Sequence, residues 1–226
     1  LDDLTTASAD QLTITVASTT ATAAQLKTVG DATGLNVTAT AVEGISSSSV
    51  AQVISLLNDE GGTGDKVNLD GNFTVAINDT GTVDANDLNT INTATTGLVT
   101  ATTVGTINGS AANINTLITN EGNSGDKVNL DTNFNITVSD GSANVTQANA
   151  FGTATDGVVT ATISNTAVAD LDGLTTANTD LLTITMAAEN VTAAQLITIN
   201  GATGSTVDAT AVTGITGTAA QFESVM

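Results

Sequence analysis

Short apolar stretches that alternate with polar residues recur along the 226-residue chain at a nearly constant interval. In each stretch a large or β-branched residue alternates with threonine or another small residue, as in a strand with one buried face. Five of the seven intervals between their starts are 23 to 25 residues long. The pattern therefore predicts eight strands, at residues 12–16, 35–39, 73–77, 98–102, 134–138, 158–162, 182–186 and 206–210.

A second recurring pattern lies between the predicted strands and indicates short helices. TAAQL occurs at 22–26 and 192–196, and TAAQF occurs at 218–222. Thr followed three residues later by Gln is a capping box, which marks a helix start. Looser versions of the box begin at Asp84, Ser110 and Thr146. A glycine precedes the next strand in several repeats and is expected to end the turn; these glycines are Gly34, Gly97, Gly157 and Gly204.

Alternation of strand and helix predicts parallel strands joined by right-handed crossovers. Residues 1–45 also match residues 171–215 without a gap, at an offset of 170. The predicted fold class is therefore α/β: a repeat solenoid of about eight strand-helix coils of ~24 residues, with a parallel sheet. Because strands stack about 4.8 Å apart and helices need roughly 8 to 10 Å, the stack should be curved or superhelical.

The domain prediction is one continuous segment, residues 1–226, that forms part of a longer chain or filament. GDKVNLD occurs at 64–70 and again at 125–131, within the two long intervals. We interpret these intervals as ordinary coils that carry insertions of about a dozen residues, near 58–72 and 120–133.

Composition excludes several function classes. The chain has a formal charge of −20, three Lys and Arg residues in total, and no His or Cys. Zinc sites and His-dependent nucleophilic centres therefore lack their parts, and nucleic acid is not an expected partner. No stretch approaches the roughly 18 apolar residues of a membrane span. The sequence pI of about 4.1 favours an extracellular, cell-surface location.

The polar faces of the predicted strands carry threonine at alternate positions, and we expect a surface ladder. The ladder residues are Thr13, Thr15, Thr38, Thr40, Thr100, Thr102, Thr160, Thr162, Thr183 and Thr185. This arrangement resembles the flat threonine arrays of solenoid ice-binding proteins, and it is interrupted at Ala76, Asn135 and Asp208. The alternative is a solvated or packing surface, since threonine suits a half-exposed strand.

The acidic insertions hold the candidate metal ligands. Oxygen-rich, glycine-rich segments favour calcium, and the candidate ligands are Asp65, Asp70, Asp126 and Asp131. GGTGD at 61–65 resembles the repeat of calcium-binding β-rolls, although Lys66 stands where that motif has aspartate. The alternative is a polar surface hairpin that turns at Asp70. Asp65 and Asp126 recur with the repeat, whereas a catalytic carboxylate pair is normally a single asymmetric feature, so we expect no enzyme.

Written as a consensus, the chain resembles the tandem repeats of giant repetitive cell-surface proteins of marine cyanobacteria and related bacteria, of the swimming-motility type. DANDLNTINTATTGLVTATTV (84–104) and VTAAQLITINGATGSTVDATAV (191–212) carry the resemblance. It implies an extracellular structural protein that forms a filament, layer or stalk, whose partners are copies of itself or adjoining repeats end to end. The alternative function is an adhesin that holds a glycan, ice or a partner protein.

Overall fold

The computed structural model describes residues 11–59, 66–121 and 127–225, and they form alternating parallel strands and helices of the α/β class. The helices are α1 (Ala23–Asp31), α2 (Val50–Leu57), α3 (Ala85–Ala94), α4 (Ala111–Asn120), α5 (Val145–Ala154), α6 (Val168–Leu171), α7 (Ala193–Gly201) and α8 (Ala219–Val225). The strands are β1 (Ile14–Thr15), β2 (Thr20–Ala21), β3 (Val37–Ala39), β4 (Gly44–Ser48), β5 (Val67–Leu69), β6 (Thr74–Ile77), β7 (Thr82–Asp84), β8 (Val99–Ala101), β9 (Thr106–Ser110), β10 (Val128–Leu130), β11 (Asn135–Asp140), β12 (Val159–Thr162), β13 (Leu181–Thr183), β14 (Asn190–Thr192) and β15 (Gly214–Thr216).

The chain divides into two compact units. Unit 1 comprises Leu1–Val104 and Thr119–Asp131. It contains a parallel sheet in the order β1-β3-β5 and a second parallel sheet in the order β10-β8-β6-β4-β2. Helix α2 packs against α1 on one side and α3 on the other. Successive repeats in unit 1 therefore lie side by side in chain order.

Unit 2 comprises Gly105–Ile118 and Thr132–Met226. Its strands β9, β11, β12 and β13 are parallel neighbours in that order, and β14 pairs with β15. Two isolated parallel bridges join Ala143 to Ile163 and Thr185 to Asp208. Helix α7 packs against α8.

The core of both units consists of small apolar side chains on alternate strand positions. In β3 the residues Val37 and Ala39 are fully buried, while Thr38 between them is exposed. The three largest fully buried side chains are Phe73, Phe134 and Phe151. Burial of such alternating positions against the helices is the main source of stability.

The first of the two long repeats contains an additional strand. Helix α2 begins 27 residues after α1, at residue 50, whereas α3 begins 35 residues after α2, at residue 85. Two strands separate α1 from α2, but β5, β6 and β7 separate α2 from α3. The segment 67–69 is thus part of a sheet, where Val67 pairs with Val37 in parallel.

The hairpin interpretation of this segment is wrong. Val67 is fully buried and Leu69 is 5% exposed, so β5 is a core strand. After the turn at Asp70, the chain enters β6, which belongs to a different sheet from β5. The register also shows that residues 74–77 match 44–48 and not 35–39, because Ile45 pairs with Val75 and Ser48 pairs with Ile77 across a register shift. The extra length is therefore smaller than the expected dozen residues.

The predicted strands correspond to observed strands in seven of the eight stretches, with small shifts at their ends. The exception is 206–210, where only Asp208 forms an isolated bridge. Strands β2, β4, β7, β9, β14 and β15, which directly precede helices or lie close to them, were not predicted. Burial in β4 does not alternate: this strand has two buried residues, two exposed residues and a buried serine.

Local capping chemistry starts the helices as predicted in most repeats. Thr22 and Thr192 form complete capping boxes with Gln25 and Gln195. Thr218 and Gln221 make the same pair of hydrogen bonds at α8. Asp84 also caps α3, and the Ser110 hydroxyl accepts from the Asn113 N–H at α4.

The prediction for α5 was wrong by two residues, and one further box was missed. Asn144, and not Thr146, is the N-cap of α5, where it forms a capping box with Gln147. Ser49 and Gln52 form a complete box at α2. Asparagine and serine accept the same backbone N–H as threonine does, so the three types are interchangeable here.

A buried threonine follows the last turn of four helices and links each to the preceding repeat. The Thr33 hydroxyl donates to Leu12 O at 2.7 Å, and the Thr203 hydroxyl donates to Asp180 O at 3.0 Å. The Thr95 and Thr155 hydroxyls donate to Phe73 O and Phe134 O. Each of the four threonine hydroxyl oxygens also accepts the N–H of the residue two positions after its own threonine, which is Leu35, Gly97, Gly157 or Ser205.

Gly97 and Gly157 are required by close backbone approach. A Cβ added at Gly97 would lie 2.3 Å from Phe73 O, and one at Gly157 would lie 2.3 Å from Phe134 O. Neither glycine has a positive φ. The role predicted for them, ending a turn through conformational freedom, is therefore replaced by the need to fit against the preceding repeat.

The first N–H of several helices is capped by a side chain from the following repeat. Ala23 N–H donates to Ser48 Oγ at 2.9 Å, and Val145 N–H donates to Asn165 Oδ1 at 3.1 Å. In α2 and α6 the acceptor is a carboxylate, with Val50 N–H donating to Asp79 and Val168 N–H donating to Glu189, both at 2.7 Å. Neighbouring repeats are thus joined at both ends of the helix.

The threonine links predict a measurable loss of stability. Thr95→Val keeps the size of the side chain but leaves Phe73 O and Gly97 N–H without their hydroxyl partner. We expect it to lower the free energy of unfolding by about 1 to 3 kcal/mol, the cost of unpaired buried polar groups. Urea unfolding followed by circular dichroism measures the change.

Thr102→Val is the matched control, because Thr102 is exposed. We expect this change to stay within about 0.5 kcal/mol of the parent, as for most surface substitutions. Equal losses in the two variants would show that the buried hydroxyl has no special role.

Candidate functional site

The ladder threonines lie on the solvent side of their strands. Eight of the ten are exposed, and Thr100 and Thr160 are half-buried. Alternation along the strand causes this at Thr38, for example, because Val37 and Ala39 on either side are buried in the core. The strand faces are therefore available for contact over most of the predicted positions.

The structure brings only some of these threonines together as neighbours. Thr15 pairs with Thr38, and Thr162 pairs with Thr183. Thr100 instead lies between Ala76 and Asn129. The predicted ladder is thus divided into short groups on separate sheets.

The ends of the groups carry other residue types. Thr160 lies between Thr137 and Leu181, and Thr185 forms a bridge with Asp208. Thr13, Thr40 and Thr102 stand just beyond the paired residues of their strands. The sheet faces therefore mix threonine with asparagine, alanine and an exposed leucine, and they present no uninterrupted threonine lattice.

Two of the four candidate calcium ligands, Asp65 and Asp126, lie outside the described residues. Asp70 and Asp131 are both exposed and directly follow the equivalent strands β5 and β10. Among residues 11–59, 66–121 and 127–225, there is no group of three or more acidic, His or Cys side chains that could hold a metal ion. Calcium binding by the four aspartates stays a prediction.

The lysine at position 27 joins two helices, a contact that the sequence did not indicate. Lys27 Nζ lies 2.7 Å from Asp59 Oδ2 and 3.2 Å from Asp31 Oδ2. Hydrogen bonds with Asp59 and, secondarily, Asp31 raise the pKa of Lys27 above its ordinary value. Because Lys27 is on α1 and Asp59 follows α2, this ion pair connects successive repeats, although solvent exposure keeps its contribution small.

Two aspartates have displaced pKa values. Burial, with a smaller contribution from the Asp84 charge, raises the pKa of Asp87 in the first turn of α3. The Thr210 hydroxyl and N–H both donate to Asp208 and hold the pKa of that carboxyl below its ordinary value. The burial of Asp87 and the Thr210 hydrogen bonds to Asp208 account for the two pKa shifts, so each shift has a local structural cause.

Asp180 is a buried carboxylate that replaces the linking threonine in one repeat. It is 2% exposed, and its two oxygens accept from Val159 N–H at 2.8 Å and Ala177 N–H at 2.9 Å. The first bond corresponds to the one that Thr203 accepts from Leu182 N–H in the next repeat. Asp180 is therefore satisfied as a structural acceptor between repeats.

Comparison with known proteins gives no relative: no family model, curated protein or solved structure matches the chain. Within the part of the chain that the structure describes, no helix is long and apolar enough to cross a membrane. The described residues present exposed polar strand faces and hydrogen bonds between successive repeats.

The calcium prediction is tested with the full chain. If Asp65, Asp70 and their equivalents hold a structural ion, calcium should raise the melting temperature above that in magnesium at equal ionic strength. Asp70→Asn and Asp131→Asn together should reduce the difference. Calorimetry in calcium, magnesium and chelator measures it, and identical melting temperatures would dismiss a structural ion.

Proposed function

We propose that the chain is a structural repeat protein, a stretch of an α/β solenoid that forms part of an extracellular filament, layer or stalk. The observation that carries this proposal is the recurrence of the same hydrogen bonds between successive repeats. Four buried threonine hydroxyls reach the repeat before them, from Thr33, Thr95, Thr155 and Thr203. A chain that uses its polar groups to join each repeat to the next is suited to extending in one direction.

Charge supports an extracellular setting for this role. A formal charge of −20 makes the compact state repel itself, and this repulsion weakens as ionic strength rises. The same charge repels nucleic acid and anionic lipid surfaces. The proposed role requires contacts with adjoining repeats and needs no catalytic centre or cofactor. The resemblance to giant bacterial surface proteins is consistent with it.

The second candidate is an adhesin, and the exposed threonine pairs favour it. Thr15 with Thr38, and Thr162 with Thr183, present adjacent hydroxyls on a regular parallel sheet. Such pairs can hydrogen-bond a glycan or ordered water. Their short extent favours a small ligand over an extended flat surface.

A tandem chain tests the solenoid proposal. Placing residues 1–170 before the full chain keeps the repeats in phase, because residue 171 is equivalent to residue 1. We expect electron micrographs to show rods of unchanged width, lengthened by about three quarters, since 170 residues are added to 226. Antibodies to the purified chain should also label intact source cells from outside.

A tandem chain that begins with residues 1–160 is the control, because it breaks the phase by ten residues and should produce a visible discontinuity. Separate globules joined by a linker in the in-phase chain would contradict the solenoid. Unchanged short particles that are retained on a glycan array or at an ice front, with loss of retention in Thr15→Val/Thr38→Val, would favour the adhesin.

A further inference from the structure

Unit 2 contains an open groove beside α7 and α8. Its volume is about 410 Å³. The residues that line it include Leu196, Ile197, Asn200, Val207, Ala209 and Val225. Most of these side chains are apolar, so the groove is suited to a polypeptide segment with apolar side chains.

The equivalent position in unit 1 is occupied by a strand. At the offset of 170, Val207 and Ala209 correspond to Val37 and Ala39 of β3. Val37 and Ala39 pair with Val67 and Leu69 of β5, and Val37 N–H donates to Lys66 O at 2.9 Å. The two matching segments, residues 1–45 and 171–215, thus differ in whether a strand equivalent to β5 lies beside them.

Burial differs between the two copies in the way that a missing strand requires. Val37 is fully buried, whereas Val207 is half-buried. Ile45 is 1% exposed because β6 pairs beside it, and its equivalent Ile215 is 42% exposed. When α2 and α8 are aligned by their capping boxes, which begin at Ser49 and Thr218, Leu56 corresponds to Val225; Leu56 is 0% exposed and Val225 is 37% exposed.

In residues 207–209, one edge of the backbone is hydrogen-bonded to the preceding repeat and the other edge faces the groove. Asp208 N–H donates to Ile184 O at 2.9 Å, and Met186 N–H donates to Asp208 O at 2.8 Å. Backbone N–H and C=O groups alternate between the two edges of a parallel strand. The backbone groups of Val207 and Ala209 therefore face the groove, as those of Val37 and Ala39 face β5. An added parallel strand would complete the hydrogen bonding on that side.

We propose that this groove is an acceptor site for a parallel strand equivalent to β5, carried by an adjoining repeat equivalent to residues 58–94. A strand equivalent to β6 follows in the same repeat and covers Ile215. The occupant is a long repeat of the three-strand kind, because that is the kind that covers the equivalent face of unit 1. The first repeat of a second copy is a less suitable occupant, since β1 and β2 precede the β3 and β4 positions in the ladders and do not follow them.

Two substitutions between the copies specify the occupant further. Asn200 replaces Gly30, where an added Cβ would lie 2.8 Å from Val67 Cγ2. The occupant should therefore carry a residue smaller than valine at that position. Ile197 replaces Lys27, whose partner is Asp59, so an apolar residue should replace that aspartate.

The inference depends on the equivalence of the two copies and not on the proposed extracellular role. It would stand if the chain formed no filaments, and it could fail while the tandem chain still formed rods.

The test extends the full chain by residues 58–104, placed after Met226 in phase and carrying Val67→Ala in the added copy to fit Asn200. We expect the Val207 amide to exchange its hydrogen at least about tenfold more slowly than in the unextended chain, because it gains the bond that Val37 makes. Nuclear magnetic resonance measures exchange at this amide, and calorimetry should show a higher melting temperature.

The matched control carries Asp at both the Val67 and Val75 positions of the added copy only. These changes place carboxylates at the two paired core positions, so Val207 should exchange as in the unextended chain. Equal exchange in the extended chain and its control, together with no protection in an extended chain that keeps Val67 and carries Asn200→Gly, would overturn the proposal. Val207 protection that appears in the unextended chain as its concentration rises would also overturn it, because a second copy would then be the occupant.

In a second variant, the added copy keeps Val67, and Asn200→Gly restores the residue of the first copy. Protection of Val207 in this variant, or in the first extended chain, supports the strand site. If the Val207 amide exchanges as fast in both extended chains as in the unextended chain, the strand site is excluded, provided that circular dichroism shows each chain to be folded.

Discussion

The structure depends on satisfying the backbone where each short helix returns to a strand. Buried carbonyl and N–H groups at this corner have no access to water, and leaving one unpaired costs about 1 to 3 kcal/mol. A single threonine hydroxyl pairs groups from two repeats. The Thr95 hydroxyl donates to Phe73 O in the preceding repeat and accepts a hydrogen bond from Gly97 N–H in its own repeat. Gly97 then allows the two backbones to approach, since any side chain would meet Phe73 O. Packing of small apolar residues between repeats follows from this spacing.

Local signals determined what the sequence could predict. Thr22 with Gln25 is a self-contained capping box, so the helix start follows from four adjacent residues. The buried and exposed faces of β3 also follow from strict alternation. The exposure of most of the ladder threonines was therefore predictable, and so was the α/β class with parallel strands.

Pairing between repeats was not predictable in the same way. The partner of Thr100 depends on the additional strand in the long repeat, which shifts the pairing so that Ala76 and Asn129 become its neighbours. Strand β5 has only three residues and follows an acidic, glycine-rich segment, so its short alternation was interpreted as part of a polar hairpin. The buried linking threonines also have the same residue type as the exposed ones. Only tertiary contacts separate Thr95 from Thr96, its exposed neighbour.

The helix caps supplied by Asp79 and Glu189 show how a chain with three lysines can pair carboxylates without basic side chains. Each carboxylate lies at the positive end of a helix dipole, where a backbone N–H takes the place of a basic side chain. The main chain thus provides partial positive charge at the starts of α2 and α6. Such a protein can replace nearly all its basic residues with neutral ones and still neutralise carboxylates locally, which keeps its outer surface free of sites for polyanions.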